Sequence, residues 1–361
     1  MTVTNVTRLG ARHFRNLDTA ELVPAPGGLT VIQGGNGAGK TSLLEALSYC
    51  SVLKSFRSVP REALVQTGET SASISCDLCQ GERRLEIKVH VELARRDTAT
   101  LNDRRVNGPR ELVEVLRTTL FTPDDLDLVK GPPARRRDLL DDAVLATWPR
   151  LGGDRAELER VLRQRNTLLR QLGGRLPHEA VMTLDVWDER LAAVGERVVA
   201  ARERLIDRAA PFVAEAFSVL APQAGALVLS YVRSFEGALH EALEQHRNED
   251  LKRQVTTVGP QRDELEITAG GLDARTRLSQ GRQRCVALAL RLGLHRYVGD
   301  VTGAAPVLLL DDAFSELDET TARALVGELP PGQALLTTAG PLPPGAQPDL
   351  VVRIERGAIL P

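Results

Sequence analysis

The chain has 361 residues, 42% hydrophobic and 26% charged, which is long enough for two domains, or one domain with a large insertion, and far from a disordered composition. Its 46 basic and 48 acidic residues leave a formal net charge of −2, so any nucleic-acid surface is a local patch rather than a whole-protein field. The opening MTVTNVTRLG lacks the pattern of a signal peptide and no apolar run is long enough to span a membrane, so a cytoplasmic protein without membrane association is expected.

A first strand is expected around Asn5 to Phe14, and a second, LTVIQ (Leu29 to Gln33), runs into a glycine-rich turn and a helix from about Thr41 to Ser51. The turn, GGNGAGKT, fits G-x-x-x-x-G-K-[ST] with Gly34, Gly39, Lys40 and Thr41 in the fixed places; Gly35, Asn36, Gly37 and Ala38 complete the loop and Ser42 follows it. Glycines let successive N–H groups turn toward a phosphate, and the helix N-terminus adds its positive end. Lys40 suits the terminal phosphates and the Thr41 hydroxyl suits magnesium. Only five lysines stand among the 46 basic residues, so a lysine at this position is informative.

Next, SASISCDLC alternates as a strand, with Ala72, Ile74, Cys76 and Leu78 on one face and Cys79 on the other. Its Cys-x-x-Cys has no second pair to complete a tetrahedral metal site, so both thiols read as structural. Arg83 to Leu93 and Asp97 to Gly108 read as antiparallel strands with a turn near Asn102 and Asp103.

From about Arg135 the period becomes helical. Arg135, Arg136 and Arg137 occupy the expected first turn of a helix, where the dipole disfavours cations; salt bridges to Asp138, Asp141 or Asp142 would compensate, and so would DNA phosphate or nucleotide. Leu158, Val161, Leu168 and Leu172 form one apolar stripe, interrupted by Arg165. Leu184, Trp187, Leu191, Val194, Val198, Ala201 and Leu205 form a second. With GGRLPHEA as the turn between them, they are expected to make an antiparallel hairpin, either an arm of roughly 30 Å or a compact helical subdomain. Strand signals return in ALVLSYV, ELEITAG, PVLLLDD, ALLTTA and LVVRIERG, and all are expected to complete the N-terminal sheet.

Two motifs lie in this last third. In LSQGRQR, Ser279, Gln280 and Gly281 stand at the mouth of an apolar helix, a second anion site by the same dipole argument. PVLLLDD reads as a buried parallel strand whose carboxyl end presents Asp311, suited to magnesium, and Asp312, suited to polarising an attacking water. SELD (Ser315 to Asp318) adds a polar turn just beyond. The expected division is 1–127 as the first part of an ATPase head, 128–215 as a helical insertion, and 216–361 as the rest of the head.

This order of motifs resembles the ATP-binding-cassette heads of the SMC-like ATPases, and within that class it is similar to the RecF family of bacterial recombination mediators. The resemblance is carried by ARHFRNL, GGNGAGKTSLLEAL, KSFR, FTPDDLDLVKGPPARRRDLLD, GPQRDEL, SQGRQR and LLLDDAFSELD. It implies an α/β, ABC-type P-loop head with mixed sheets and an inserted helical or short coiled arm domain, using ATP and Mg2+. It further implies an ATP-dependent homodimer in which Ser279 and Gly281 of one subunit close on the γ-phosphate held by Lys40 of the other. Double-stranded DNA near single-strand gaps, a RecR-type mediator protein and help in loading RecA are implied as partners and role. Arg282 replaces the usual glutamine after the signature glycine, and Thr337 and Thr338 stand where a switch histidine is usual. Slow hydrolysis, with Asp312 as the base, is the expected consequence. The alternatives are a transporter ATPase subunit, against which the helical insertion and the missing histidine argue, and a generic SMC-like structural ATPase.

Overall fold

The computed structural model describes residues 4–57 and 59–360; Met1–Val3 of the opening MTVTNVTRLG lie outside the described residues. The chain forms two compact units, one of Met1–Leu126, Phe212–Gln223 and Gln280–Pro361, the other of Asp127–Pro211 and Ala224–Ser279.

The described elements begin with β1 (Thr4–Phe14), β2 (Leu17–Leu22), β3 (Leu29–Gln33), α1 (Lys40–Val52), β4 (Ser71–Gln80), β5 (Arg83–Glu92), β6 (Thr98–Leu101), β7 (Arg104–Arg105), α2 (Pro109–Val113) and β8 (Thr118–Phe121). There follow α3 (Asp127–Lys130), α4 (Pro133–Thr147), α5 (Gly152–Leu172), α6 (His178–Leu220), β9 (Leu227–Val232), α7 (Leu239–Arg253), β10 (Glu264–Ala269), β11 (Leu272–Asp273) and α8 (Ala274–Arg277). The chain closes with α9 (Gln280–Thr302), β12 (Val307–Asp311), α10 (Glu319–Gly327), β13 (Ala334–Thr338), β14 (Leu350–Glu355) and β15 (Ala358–Leu360).

In the first unit, β2-β1-β4-β5-β6-β7 form an antiparallel sheet and β15-β14-β3-β13-β12-β8 a mainly parallel one. The antiparallel strands alternate as the sequence suggests, with Ala72, Ile74, Cys76 and Leu78 of β4 buried. Asn102 and Asp103 adopt positive φ in the two-residue turn between β6 and β7, the conformation that a tight hairpin requires. The run Val307 to Asp311 is buried throughout, as a strand between two parallel neighbours must be.

Residues of both sheets share one apolar core with α1, of whose thirteen residues all but Thr41 and Val52 are buried. A polar stripe nevertheless runs along α1 at every third position, and Ser42, Glu45 and Ser51 of it are hydrogen-bonded. Ser42 donates to Asn16 Oδ1 at 2.7 Å, Glu45 takes both arms of Arg15 at 2.8 and 2.5 Å, and Ser51 donates to the Leu116 carbonyl at 2.6 Å. Gln333 links the sheets, exchanging hydrogen bonds with Val6 N and O at 2.7 and 2.9 Å.

The second unit corrects the expected division. Residues 224–279, expected in the head, group with residues 127–211, because β11-β10-β9 form a separate three-stranded sheet. Thus ALVLSYV and ELEITAG pair with each other and do not join the N-terminal strands, whereas PVLLLDD, ALLTTA and LVVRIERG do join the sheet that contains β3. Helix α6 runs well past the expected end of the second stripe and carries Pro211 inside it, at the edge of the unit.

Helices α5 and α6 are antiparallel: Arg197 of α6 reaches Asp154 and Glu157 near the start of α5, while Arg165 meets Asp188 further along. They do not project as a bare arm. Leu158 and Val161 share a cluster with Leu191, Val194 and Val198 and with Leu239 and Leu243 of α7, so the hairpin is one wall of a compact subdomain. In the α5 stripe Leu169 is fully buried and Leu168 only partly.

Arg165, the residue that breaks the stripe in sequence, is fully buried and lies at the centre of this packing. Its Nε donates to Asp188 at 2.7 Å, and its Nη1 to Asp250 at 2.6 Å and Thr256 Oγ1 at 2.9 Å. Arg136 is buried too, but its partner is Glu264 of β10, held bidentately at 2.7 Å. Asp138 and Asp142, the expected partners on its own helix, pair with Arg155, and Asp141 pairs with Arg202. Arg137 donates to the Asp263 carbonyl at 2.8 Å. Arg136 and Arg137 are therefore offset by residues at and just before the start of β10, a pairing that sequence adjacency does not show.

Two stability predictions follow from these buried groups. Arg165→Ala leaves two carboxylates buried without their shared cation, a loss of about 3–5 kcal/mol, read as a lowered urea midpoint; a change below about 1 kcal/mol would contradict it. His295 of α9 is buried, with Nδ1 3.0 Å from Thr119 Oγ1, and burial, with Arg296 nearby, lowers its pKa from 6.5 to about 4. Below pH 6.5 the unfolded chain takes up a proton that the folded one refuses, so stability falls from there down to about pH 4, by up to about 3 kcal/mol. His295→Gln is expected to flatten that part of the urea-midpoint profile; equal profiles would refute it.

Candidate nucleotide-binding site

In the parallel sheet β13 lies between β3 and β12, so the carboxyl ends of these three strands are neighbours. Ligands bind at such ends. The turn after β3 is the glycine loop, the end of β12 is Asp311, and the end of β13 is Thr337 and Thr338, with Thr337 in register with both Asp311 and Ile32.

Glycine is required in the loop at two places. Gly37 and Gly39 have φ of +76° and +113°, which a side chain strongly disfavours. A Cβ on Gly39 would also lie 2.8 Å from Leu17 Cδ2 and 3.0 Å from Ile354 Cδ1, so the loop is pressed onto the sheet beneath it. Asn16, in the turn between β1 and β2, braces the loop from the side by donating to the Gly37 carbonyl at 2.8 Å while accepting from Ser42. Gly357 N–H donates to the Ala38 carbonyl at 2.8 Å. Over the loop the space is open: a Cβ at Gly35 or Gly37 would meet nothing within 4 Å. Gly34 to Ala38 line a pocket of about 650 Å³ whose other walls include Gly340, Arg353 and Arg356.

Lys40 is nearly buried, and its ammonium donates to the carbonyls of Gly34 and Gly35 at 2.8 and 3.0 Å, which holds the cation over the loop. Thr41 Oγ1 donates to Asp311 Oδ1 at 2.9 Å, and Thr337 Oγ1 donates to the same oxygen at 2.8 Å. Burial raises the Asp311 carboxyl above its ordinary pKa, against the two hydroxyls and Arg57, which favour its charged form. An aliphatic hydroxyl and a carboxylate at this spacing are hard oxygen donors of the kind magnesium takes alongside phosphate and water. Among the described residues no group of three or more His, Cys, Asp or Glu could hold a metal by itself.

Asp312 has a φ of 48°, uncommon for a non-glycine residue. Hydrogen bonds on both sides keep it there: its N–H donates to Thr337 Oγ1 at 3.0 Å, and its carbonyl accepts from Ser315 Oγ at 2.9 Å.

The structure thus brings together the loop from Gly34 to Ser42, Asp311 and Asp312. Gln280 and Gly281 are not part of that cluster. Ser279 immediately precedes α9, and Ser279, Gln280, Gly281 and Arg282 are all exposed, with nothing within 4 Å of a Cβ placed on Gly281. The sequence reading missed the roles of Asn16 and Thr337. In sequence Thr337 stands out only as the residue where a switch histidine is usual, and its role depends on β13 lying between β3 and β12.

A family model described as the RecF/RecN/SMC N terminal domain matches residues 5–332. The chain is 39% identical over 351 residues to the "DNA replication and repair protein RecF" of Streptomyces avermitilis, covering 93% of each. Among solved structures, the recombination mediator protein RecF-ATPrS of the RecFOR pathway superposes with a TM-score of 0.90 at 26% identity, covering 99% of this chain and 98% of that one. The Smc head domain of Pyrococcus furiosus, at 17% identity and a TM-score of 0.59, shares the fold over 99% of this chain and 95% of its own. With the head fold and the glycine loop in place, these similarities establish that the chain belongs to the RecF/RecN/SMC family and, within it, to the RecF proteins.

Proposed function

We propose that this chain is an ATP-dependent DNA-binding protein of recombinational DNA repair, in which ATP joins two heads on double-stranded DNA and slow hydrolysis releases them. The observation that carries this reading is the junction of the glycine loop with Asp311 through Thr41, while the Ser279–Gly281 turn is exposed. Similarity adds the context: the matched relatives are a DNA replication and repair protein and a mediator described with ATP. A RecR-type partner, duplex beside single-strand gaps and help in loading RecA belong to the same proposal.

The residues have distinct tasks. The N–H groups of the loop and the start of α1 face the phosphates, and Lys40, already held over the loop, supplies a cation to them. Thr41 and Asp311 would hold magnesium, which when bound neutralises phosphate charge. Asp312 accepts the proton of the attacking water, and hydrogen bonds at its N–H and carbonyl hold its backbone in place. Ser279, Gln280 and Gly281, unable to complete this site as an exposed turn, would complete that of a second subunit. Since ATP and ADP differ by the whole set of contacts to the γ-phosphate, that difference can shift a monomer–dimer equilibrium. Among the described residues no helix is long and apolar enough to cross a membrane, and nothing in the structure favours the transporter reading.

Sedimentation with ATP, with ADP and without nucleotide, each with and without duplex DNA, tests the proposal. The wild-type chain is expected to double its mass with ATP alone or with ATP and DNA, and an unchanged mass in every condition would refute it. Lys40→Met is expected to abolish ATP binding. Asp312→Asn is expected to bind, not turn over, and accumulate as dimer. Ser279→Arg is expected to bind ATP yet remain monomeric; dimerisation at wild-type strength would contradict the cross-subunit role.

A further inference from the structure

Arg284, in the second turn of α9, grips one residue of the turn that follows Asp312. Its Nη1 donates to the Glu316 backbone carbonyl at 2.9 Å and its Nη2 pairs with the Glu316 carboxylate. The grip continues to the nucleotide site through short links. Ser315, the preceding residue, donates from its N–H and its hydroxyl to the Asp312 carbonyl at 3.3 and 2.9 Å. Asp312 N–H then donates to Thr337, and Thr337 to Asp311. A further hydrogen bond, Leu317 N–H to the Phe314 carbonyl at 3.2 Å, tightens the turn, and Asp318 caps α10 by accepting from Thr321 N–H at 2.9 Å.

An ion pair with one partner as exposed as Glu316 contributes little to folding. Its consequence is therefore positional. Holding both the backbone and the side chain of Glu316 fixes the turn against the helix that carries Gln280 and Gly281.

We propose that Arg284 is a positioning residue for hydrolysis, clamping Glu316 so that the first turns of α9 and the backbone of Asp312 move as one. This inference rests on the proposed function, in which α9 meets the nucleotide of the second subunit and Asp312 acts on the nucleotide of its own. The clamp would then make the setting of Asp312 depend on whether α9 is engaged. An Arg284 spent on this contact within its own chain also accounts for a basic residue that the phosphate-loop chemistry leaves unused.

The test compares the wild type with Arg284→Ala, Glu316→Ala, the double alanine variant and the reversed pair Arg284→Glu/Glu316→Arg. A carboxylate near a helix N-terminus is favourable, so the reversed pair is compatible with α9. ATP affinity is read with a fluorescent ATP analogue, dimer mass by sedimentation, and turnover as separate kcat and KM. Misplacement of a catalytic group supports an expected fall in kcat on the order of tenfold for Arg284→Ala, with ATP affinity and KM unchanged. The double alanine variant is expected to be no worse than Arg284→Ala, and the reversed pair to regain most of the loss. Wild-type turnover in both single variants would overturn the clamp. Losses that add in the double variant, or ATP affinity falling in step with kcat, would overturn it too. A wild-type chain that neither dimerises with ATP nor hydrolyses it would instead overturn the proposed function, and the clamp with it.

Discussion

One carboxylate oxygen holds the nucleotide site together. Asp311 Oδ1 accepts the hydroxyls of Thr41 and Thr337, residues at or just past the carboxyl ends of the two other strands at the site. Such a meeting requires β3, β13 and β12 to lie side by side with parallel register, and each has a buried centre, β12 throughout its length. The constraint reaches the first sheet through α1, which is buried almost all round and carries Lys40 and Thr41 at its start. A shift of α1 against the first sheet would break the Ser42–Asn16 and Glu45–Arg15 contacts.

The second unit follows a different rule. Its helices and small sheet are joined by buried charge: Arg165 with Asp188 and Asp250, Arg136 with Glu264, Arg202 with Asp141. Such pairs add little net stability over apolar packing, but removing one partner is costly, so they fix which elements may meet. A chain rich in arginine is suited to this, because the guanidinium fork can hold a carboxylate bidentately, as Arg136 and Arg202 do.

The parts legible in the sequence are those written in consecutive residues. GGNGAGKT after LTVIQ gives the loop, its strand and its helix, and VLLLDD gives the buried strand and its acids, because each is a local pattern with one structural solution. Both antiparallel strand pairs and both apolar stripes of the helical hairpin were equally local. What could not be read depends on partners far away in the chain. ALVLSYV looks like any other strand, and nothing in it says that its neighbour is ELEITAG alone. Arg165 looks like an error in an apolar stripe until Asp188 and Asp250 arrive from two other helices. Thr337, noted only for not being histidine, takes its role from strand order. Arg284 finds its partner in Glu316, within the very SELD turn that the sequence marks as polar.

The central claim is that the two halves of the nucleotide site lie on different subunits, and mixing two inactive variants tests it directly. Lys40→Met subunits keep the Ser279 turn intact, and Ser279→Arg subunits keep the glycine loop intact. Each preparation alone is expected to show no ATP turnover, and their mixture to recover it, since a mixed dimer contains one complete composite site. If the mixture stays as inactive as its components while wild-type protein hydrolyses ATP under the same conditions, the composite site does not exist.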